Sequence, residues 1–356
     1  MRAYHPSYEK LGGVPGIEEV RFSITHNRGC FGACNFCSIA FHQGRVVTAR
    51  SEDSVIGEVE KLTKLPGFKG YIHDIGGPTA NFRHAACEKQ KKLGACPDRK
   101  CLFPKPCPNL NADHSEYVHL LERASAVQGV KRVFIRSGIR FDYMLADRKN
   151  DFFKRLVSEH TSGQLKVAPE HCSDNVLKYM GKPSVSVYKK FSDEFYRLSA
   201  ACGKEQYLVP YLMSSHPGAT LDDAIELALF LKHNGQRPEQ VQDFYPTPGT
   251  ASTCMYHTGI DPFTGKSVFV EKTYTGKKLQ RALLQYYKKE NQPLIRDALM
   301  KCGRSDLIGN GNDCLVPPAF VPHGKKPVGN DRYAARKNTV SKGGKRPDSK
   351  KNNRRG

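Results

Sequence analysis

Short β-branched runs that alternate with amphipathic helical stretches predict an α/β chain, a partial (β/α)6 TIM-like barrel with a small C-terminal extension and a disordered basic tail. Two further observations support that class. The 356 residues are enough for one large α/β domain with appendages, and a cysteine-dense loop follows directly on the first strand run, where barrels carry their chemistry.

VRFSIT (Val20 to Thr25) is the first expected strand. EDSVIGEVEKLTKL then repeats apolar residues at helical spacing, with Ser51 and Asp53 as candidate caps. GYIHDIGG reads as the second strand, KRVFIRSGIRFD (Lys131 to Asp142) as the third, GQLKVAPEH as the fourth, EQYLVPYLMSSHPG as the fifth and EQVQDFYPTPG as the sixth. Helices are expected near Asp147 to Glu159, Val187 to Ala201 and Leu221 to His233. After Pro248 the pattern changes: residues 250 to 275 are Thr- and Gly-rich, with a hairpin-like GIDPFTGKSVFV, and helices follow over Lys277 to Asn291 and Pro293 to Lys301. The expected organisation is therefore a lead-in (1–15), a barrel (16–250) with a Cys-rich insertion (82–113), a helical extension (251–322) and a tail (323–356).

Charge and cysteine usage narrow the class. The net charge is +21, but His323 to Gly356 carry 12 Lys and Arg against two Asp, so the tail holds +10 and the first 322 residues +11. That tail has almost no apolar residues and cannot offset the entropy of ordering; its charge suits RNA contact or simple solubility equally. Twelve cysteines without an apolar leader, and no run of about 18 apolar residues, predict a reducing cytoplasmic setting, metal-binding thiols and no membrane partner.

Cys30, Cys34 and Cys37 lie together in RGCFGACNFCSIAF. Three thiolates can hold three corners of a cubane cluster and leave the fourth iron open. A structural zinc site would need a second pair nearby, yet the next cysteine is Cys87 and His42 stands alone. The C-x3-C-x2-C spacing, with Phe36 before the third cysteine, resembles the signature of radical S-adenosylmethionine enzymes. Gly29 and Gly32 suit a loop whose backbone must pass close to sulfur.

Cys87, Cys96, Cys101 and Cys107 form a second group in NFRHAACEKQKKLGACPDRKCLFPKPCPNL. With little apolar content, this stretch predicts folding around a metal, zinc or an iron-sulfur cluster, with reactive or disulfide-forming thiols as the alternative. Cys172, Cys202, Cys254, Cys302 and Cys314 are scattered and read as core or surface thiols.

The ordered chain, roughly residues 5 to 320, resembles the YgiQ-type (UPF0313) radical SAM protein family. The likeness rests on CFGACNFCSIAFHQGR, DIGGPTANF, the Cys-rich segment ending CPNL, SGIRFDY, VAPEH and DFYPTPGT, in that order. Family members usually carry several hundred residues before the cluster loop. The resemblance implies a 4Fe-4S cluster on Cys30, Cys34 and Cys37 that reductively cleaves S-adenosylmethionine, an unknown substrate, and a reductant such as a flavodoxin or ferredoxin. It also implies S-adenosylmethionine contacts from the turn Gly76, Gly77 and Thr79, where Pro78 stands in place of the acidic residue many relatives have, and from Ser137, Arg140, Glu170 and His171 at strand ends. Asp243, Tyr245 and Thr247 are weaker candidates on the adenine or substrate side. No catalytic acid or base can be assigned. Two other readings remain at this point: an RNA-modifying methylthiotransferase-like enzyme, and a non-catalytic, zinc-stabilised nucleic-acid-binding protein.

Overall fold

The strands of the sheet are short, parallel and laid side by side in chain order. In the computed structural model, which describes residues 4–239 and 241–319, they are β1 (Ser23–Thr25), β2 (Asn27–Arg28), β3 (Thr48–Ala49), β4 (Tyr71–Ile72), β5 (Asp74–Gly76), β6 (Arg132–Val133), β7 (Gln164–Glu170), β8 (Tyr207–Ser214) and β9 (Gln242–Asp243). β1 pairs with β5, Ser23 facing Asp74 and Thr25 facing Gly76. β4, separated from β5 only by His73, pairs with β6. A parallel bridge joins Ile139 to Val167, β7 pairs with β8, and β8 with β9. Parallel neighbours require crossovers. Helices supply them: Glu52–Thr63, Ser115–Ser125, Val185–Ala201 and Leu221–His233 lie between successive strands. The result is a six-stranded, open βα barrel; β2 and β3 form a separate antiparallel pair beside it. The tail expected over 323–356 lies outside the described residues.

Each crossover helix turns one apolar stripe to the sheet. Val55, Val59 and Leu62 are buried on one helix and Tyr117, Leu120, Leu121 and Ala124 on the next, packing with Ile24, Ile72, Ile75 and Val133 of the strands. Local chemistry sets the helix starts. Ser51 caps the first, accepting from Ser54 N at 3.3 Å, whereas Asp53 pairs instead with Arg123 at 2.7 Å. Thr220 and Asp223 form a reciprocal capping box on Leu221–His233.

Several boundaries differ from the sequence expectation. The first strand starts at Ser23 because Ile17–Val20 is already a short helix. The third shrinks to β6, since Asp74 captures the backbone N–H groups of Arg136 and Ser137 at 2.8 and 3.1 Å and the chain enters a helix at Phe141. Past Pro248, a helix at Ala251–Thr258, capped by Thr250, opens the stretch that reads as Thr- and Gly-rich with a hairpin-like segment. The helices Tyr274–Leu284 and Gln292–Lys301 pack Leu279, Leu283, Ile295 and Leu299 against Ala224 and Ile225 of the last crossover helix.

Candidate functional site

The cysteine loop sits at the C-terminal rim of the barrel, immediately after β1 and β2. Phe31 anchors it, fully buried and stacked on Phe82 at 3.8 Å. Asn35 fastens its centre: its N–H donates to Met180 O at 2.9 Å, its carbonyl accepts from Ser252 N at 2.9 Å and its side chain donates to Tyr179 O at 2.8 Å. Gly29 has φ +83 and a Cβ there would strike the Val46 carbonyl, while a Cβ at Gly32 would lie 2.6 Å from Arg140 Nη1 and 3.3 Å from Cys30 Sγ. Both glycines are therefore sterically required.

Backbone strain collects at this rim. Ala33 (φ 47), Glu170 (φ 70) and Ser215 (φ 59) are three of the four non-glycine residues at positive φ among those described, and each lies in the loop or at the end of β7 or β8. Left-handed backbone at such residues costs about 1–3 kcal/mol and persists where surroundings impose it, often at functional sites.

The three thiols face a shell of donors. Cys30, Cys34 and Cys37 are free and partly buried. Burial first, and then Cys34 and Cys30, push the Cys37 thiol up to about 11, so both of those sulfurs lie within electrostatic reach of the third. Arg140, buried in the core, donates from Nη1 to Cys34 Sγ at 3.1 Å, while Nε and Nη2 grip Asp142 at 2.7 and 3.1 Å. Burial penalises that guanidinium charge, and Asp142 and then Cys34 more than restore it. Thr79 Oγ1 lies 3.5 Å from Cys30 Sγ. Lys100, reaching over from the Cys-rich insertion, contacts Asn35 Oδ1; burial lowers it to about 8, while Cys34 nearby favours its charge.

The strand-end candidates separate into distinct roles. Gly76 and Gly77 are packed where a Cβ would collide with Ser137 and Asp74, and with Asn27, respectively. Ser137 donates its hydroxyl to Asp74. Asp74 is a residue that sequence reasoning missed, and its signal was the polar position directly before the glycines. Glu170 is half-buried; desolvation raises its pKa, and Lys182 and Arg140 work against that. It lines a cavity of about 380 Å³ with Phe36, Cys37, Tyr211, Met213 and Phe244; Tyr245 and Thr247 also border this space. A second cavity of about 480 Å³ opens on the other side of the loop beside Asp74, Gly77, Pro78 and Ser137. His171 Nδ1 accepts from Ser173 N at 3.0 Å, and Asp243 is held by Ser214 at 2.6 Å and Arg281 at 2.6 Å.

Among the described residues no group of three or more His, Cys, Asp or Glu is arranged to hold a metal ion. Thiolates that bind separate irons of a cubane need not converge on one point. Three thiols on one rim loop, a cationic donor on Cys34 and glycines where a Cβ would intrude make a donor set and cradle that fit such a cluster. The four cysteines Cys87, Cys96, Cys101 and Cys107 are also free, and Cys101 lies within electrostatic reach of the other three. No described helix is long and apolar enough to cross a membrane.

Comparison with known proteins fits this geometry to a family. A domain of unknown function, DUF3362, matches residues 239–355, beginning before β9 and running across the basic tail. A UPF0313 protein of Clostridium perfringens (strain ATCC 13124) is 57% identical over 316 residues, covering 89% of this chain and 48% of that protein. A UPF0313 protein of Clostridium botulinum (strain Loch Maree) is likewise 57% identical, over 89% of this chain and 49% of its own length. Among solved structures, the cobalamin-dependent S-adenosylmethionine radical enzyme OxsB with aqua-cobalamin bound aligns at TM-score 0.48 and 14% identity, covering 86% of this chain and 53% of that one. The chain spans about half the length of the curated relatives it matches, and it belongs to the UPF0313 family.

Proposed function

We propose that this chain carries the catalytic barrel of a radical S-adenosylmethionine enzyme, in which Cys30, Cys34 and Cys37 hold a 4Fe-4S cluster and S-adenosylmethionine binds in the cavity between Cys37 and Glu170. Held by Cys30, Cys34 and Cys37, the cluster would supply the electron for reductive cleavage of the S-adenosylmethionine sulfonium, the chemistry that would start hydrogen-atom abstraction from the substrate. The observation that carries this reading is the hydrogen bond from buried Arg140 to Cys34 in a three-thiol loop at the barrel rim.

The surrounding side chains have defined work in this scheme. Arg140 offers positive charge to the sulfur of Cys34, and Asp142 fixes the guanidinium plane so that the donor stays aimed. Thr79 is placed to donate to Cys30. Hydrogen bonds to ligand sulfur stabilise the more negative, reduced state. Glu170, whose pKa desolvation raises, lines the cavity beside Cys37, where its carboxyl can meet a polar group. Phe36, Met213 and Phe244 wall the same space with apolar surface that excludes water from a reactive species. Electrons would come from a flavodoxin- or ferredoxin-like reductant.

The test is anaerobic reconstitution with iron and sulfide, then reduction in the presence of S-adenosylmethionine, for wild type and Cys34→Ala. Wild type is expected to release 5′-deoxyadenosine and Cys34→Ala none. Fully loaded wild type that forms no 5′-deoxyadenosine, or a loop that takes up zinc without sulfide, overturns the reading.

A further inference from the structure

The insertion between β5 and helix Ser115–Ser125 has a sulfur-rich centre of its own. Cys87 starts the short helix Glu88–Leu93, and its sulfur accepts from Gln90 N at 3.4 Å. The Gln90 side chain is buried and turns its Nε2 toward Cys101 Sγ at 3.8 Å, while its Oε1 accepts from Ala86 N at 2.7 Å. Cys107 N donates to Cys101 O at 2.9 Å. From the barrel side, Arg45 clamps the segment through Nη1 on Cys96 O at 2.9 Å and Nη2 on Arg99 O at 2.6 Å. Its Nε is buried and has no protein partner.

This arrangement is anomalous for four ordinary thiols. A backbone amide, a carboxamide N–H and a guanidinium are all directed at sulfur or set beside it, a surrounding that favours thiolate over thiol. A cation bound among the sulfurs suits donors arranged in this way, because it displaces the thiol protons and takes thiolate ligands. The segment also lacks the means to fold alone. Between residues 83 and 110 only Ala86 and Leu102 are buried hydrophobics, whereas Leu93 is 78% exposed.

We propose that Cys87, Cys96, Cys101 and Cys107 form a tetrathiolate metal centre, separate from the Cys30 loop and docked against it. Docking runs through Leu102, which packs with Phe31, Phe82 and Tyr143, and through Lys100, which reaches Asn35 of the first loop. The sulfurs as placed are not arranged to hold an ion, so uptake draws them inward, and closing the segment is coupled to binding. The ligand set suits zinc or an iron-sulfur cluster.

The experiment uses the full chain with Cys30→Ala, Cys34→Ala and Cys37→Ala combined, so that only the second group can load. It is reconstituted without oxygen in two arms, zinc alone and iron with sulfide, and bound metal and sulfide are measured after gel filtration. Stoichiometric metal in either arm, lost on adding Cys101→Ser and Cys107→Ser, is the expected result and says which metal is taken. No metal in both arms, or metal retained after those serines, overturns the proposal. Should the triple variant misfold by circular dichroism, wild type is loaded in each arm and alkylated: peptides with Cys87, Cys96, Cys101 and Cys107 are expected to be at least about tenfold protected in one arm, and equal labelling with and without metal in both arms overturns it. Because the variant lacks the first loop's thiols, failure of wild type to cleave S-adenosylmethionine leaves this outcome unchanged.

Discussion

The two cysteine-bearing regions solve the same problem, holding sulfur in place, by opposite means. The Cys30 loop is built into the barrel: fully buried Phe31 anchors it, backbone bonds fix both sides of Asn35, and glycines pass where side chains would collide. The Cys87–Cys107 segment is held chiefly by an arginine gripping two carbonyls and by one buried leucine. Apolar burial contributes about 25 cal/mol per Å², so the first loop is held by its own packing, and the second segment has far less of that support. The comparison teaches where each region draws its order: the first from packing and backbone bonds, the second from a few side-chain clamps on its carbonyls.

The largest expected effect breaks the first region. Arg140→Gln leaves Asp142 buried without its partner, which costs about 3–5 kcal/mol. A thermal denaturation midpoint well below wild type is the check. The double variant Arg140→Gln with Asp142→Asn is expected to recover much of that loss, since no unpaired charge remains. In anaerobic EPR-monitored titration of the reconstituted double variant, the cluster potential should move more negative than wild type, because a donor to ligand sulfur is gone. An unchanged potential would mean that Arg140 serves the fold alone.

The next effect tests whether the regions are one packed unit. Leu102 is fully buried among Phe31, Phe82 and Tyr143, and Leu102→Ala is expected to cost about 2–5 kcal/mol by loss of packing. If docking is real, limited trypsin digestion of metal-loaded protein should cut faster around Lys100 in this variant. Equal cleavage would separate the two regions.

These differences were unevenly legible in the sequence. The parallel, in-order strands followed from β-branched runs between helical periods, and the loop's place after the first strand followed with them. Asp74 did not stand out, because its importance comes from capturing Arg136 N and Ser137 N in the irregular chain after β6, a contact made only by tertiary folding. The same capture shortened the third strand, whose composition alone favours extended chain. Arg140 was expected as an S-adenosylmethionine contact; its bonds to Asp142 and Cys34 are ones that only the folded chain brings together. Thr79 likewise lies on Cys30. The helix Ala251–Thr258 was masked by its Thr content, although Thr250 is the kind of residue that caps a helix.

The smallest effect concerns pH and again separates the regions. Buried histidines support the first loop. His26 donates from Nε2 to Ala80 O at 2.9 Å and accepts from Arg83 at 3.3 Å, and His216, edge-on to Phe36 at 6.0 Å, donates from Nδ1 to Pro217 O at 2.7 Å. Burial lowers His26 to about 4 and His216 to about 3. The unfolded chain therefore binds protons near pH 6.5 that the folded chain refuses, so stability is fully present above that value and is lost as pH falls toward 4. Between about pH 7.5 and 5.5 each ring is expected to contribute about 1 kcal/mol of loss. Denaturant unfolding of metal-free protein at those two values measures it, and His26→Gln, which keeps an N–H for Ala80, should flatten the dependence by about one ring's share. A slope unaltered by His26→Gln would show that the proton uptake lies elsewhere, and that the loop does not depend on a neutral imidazole beneath it.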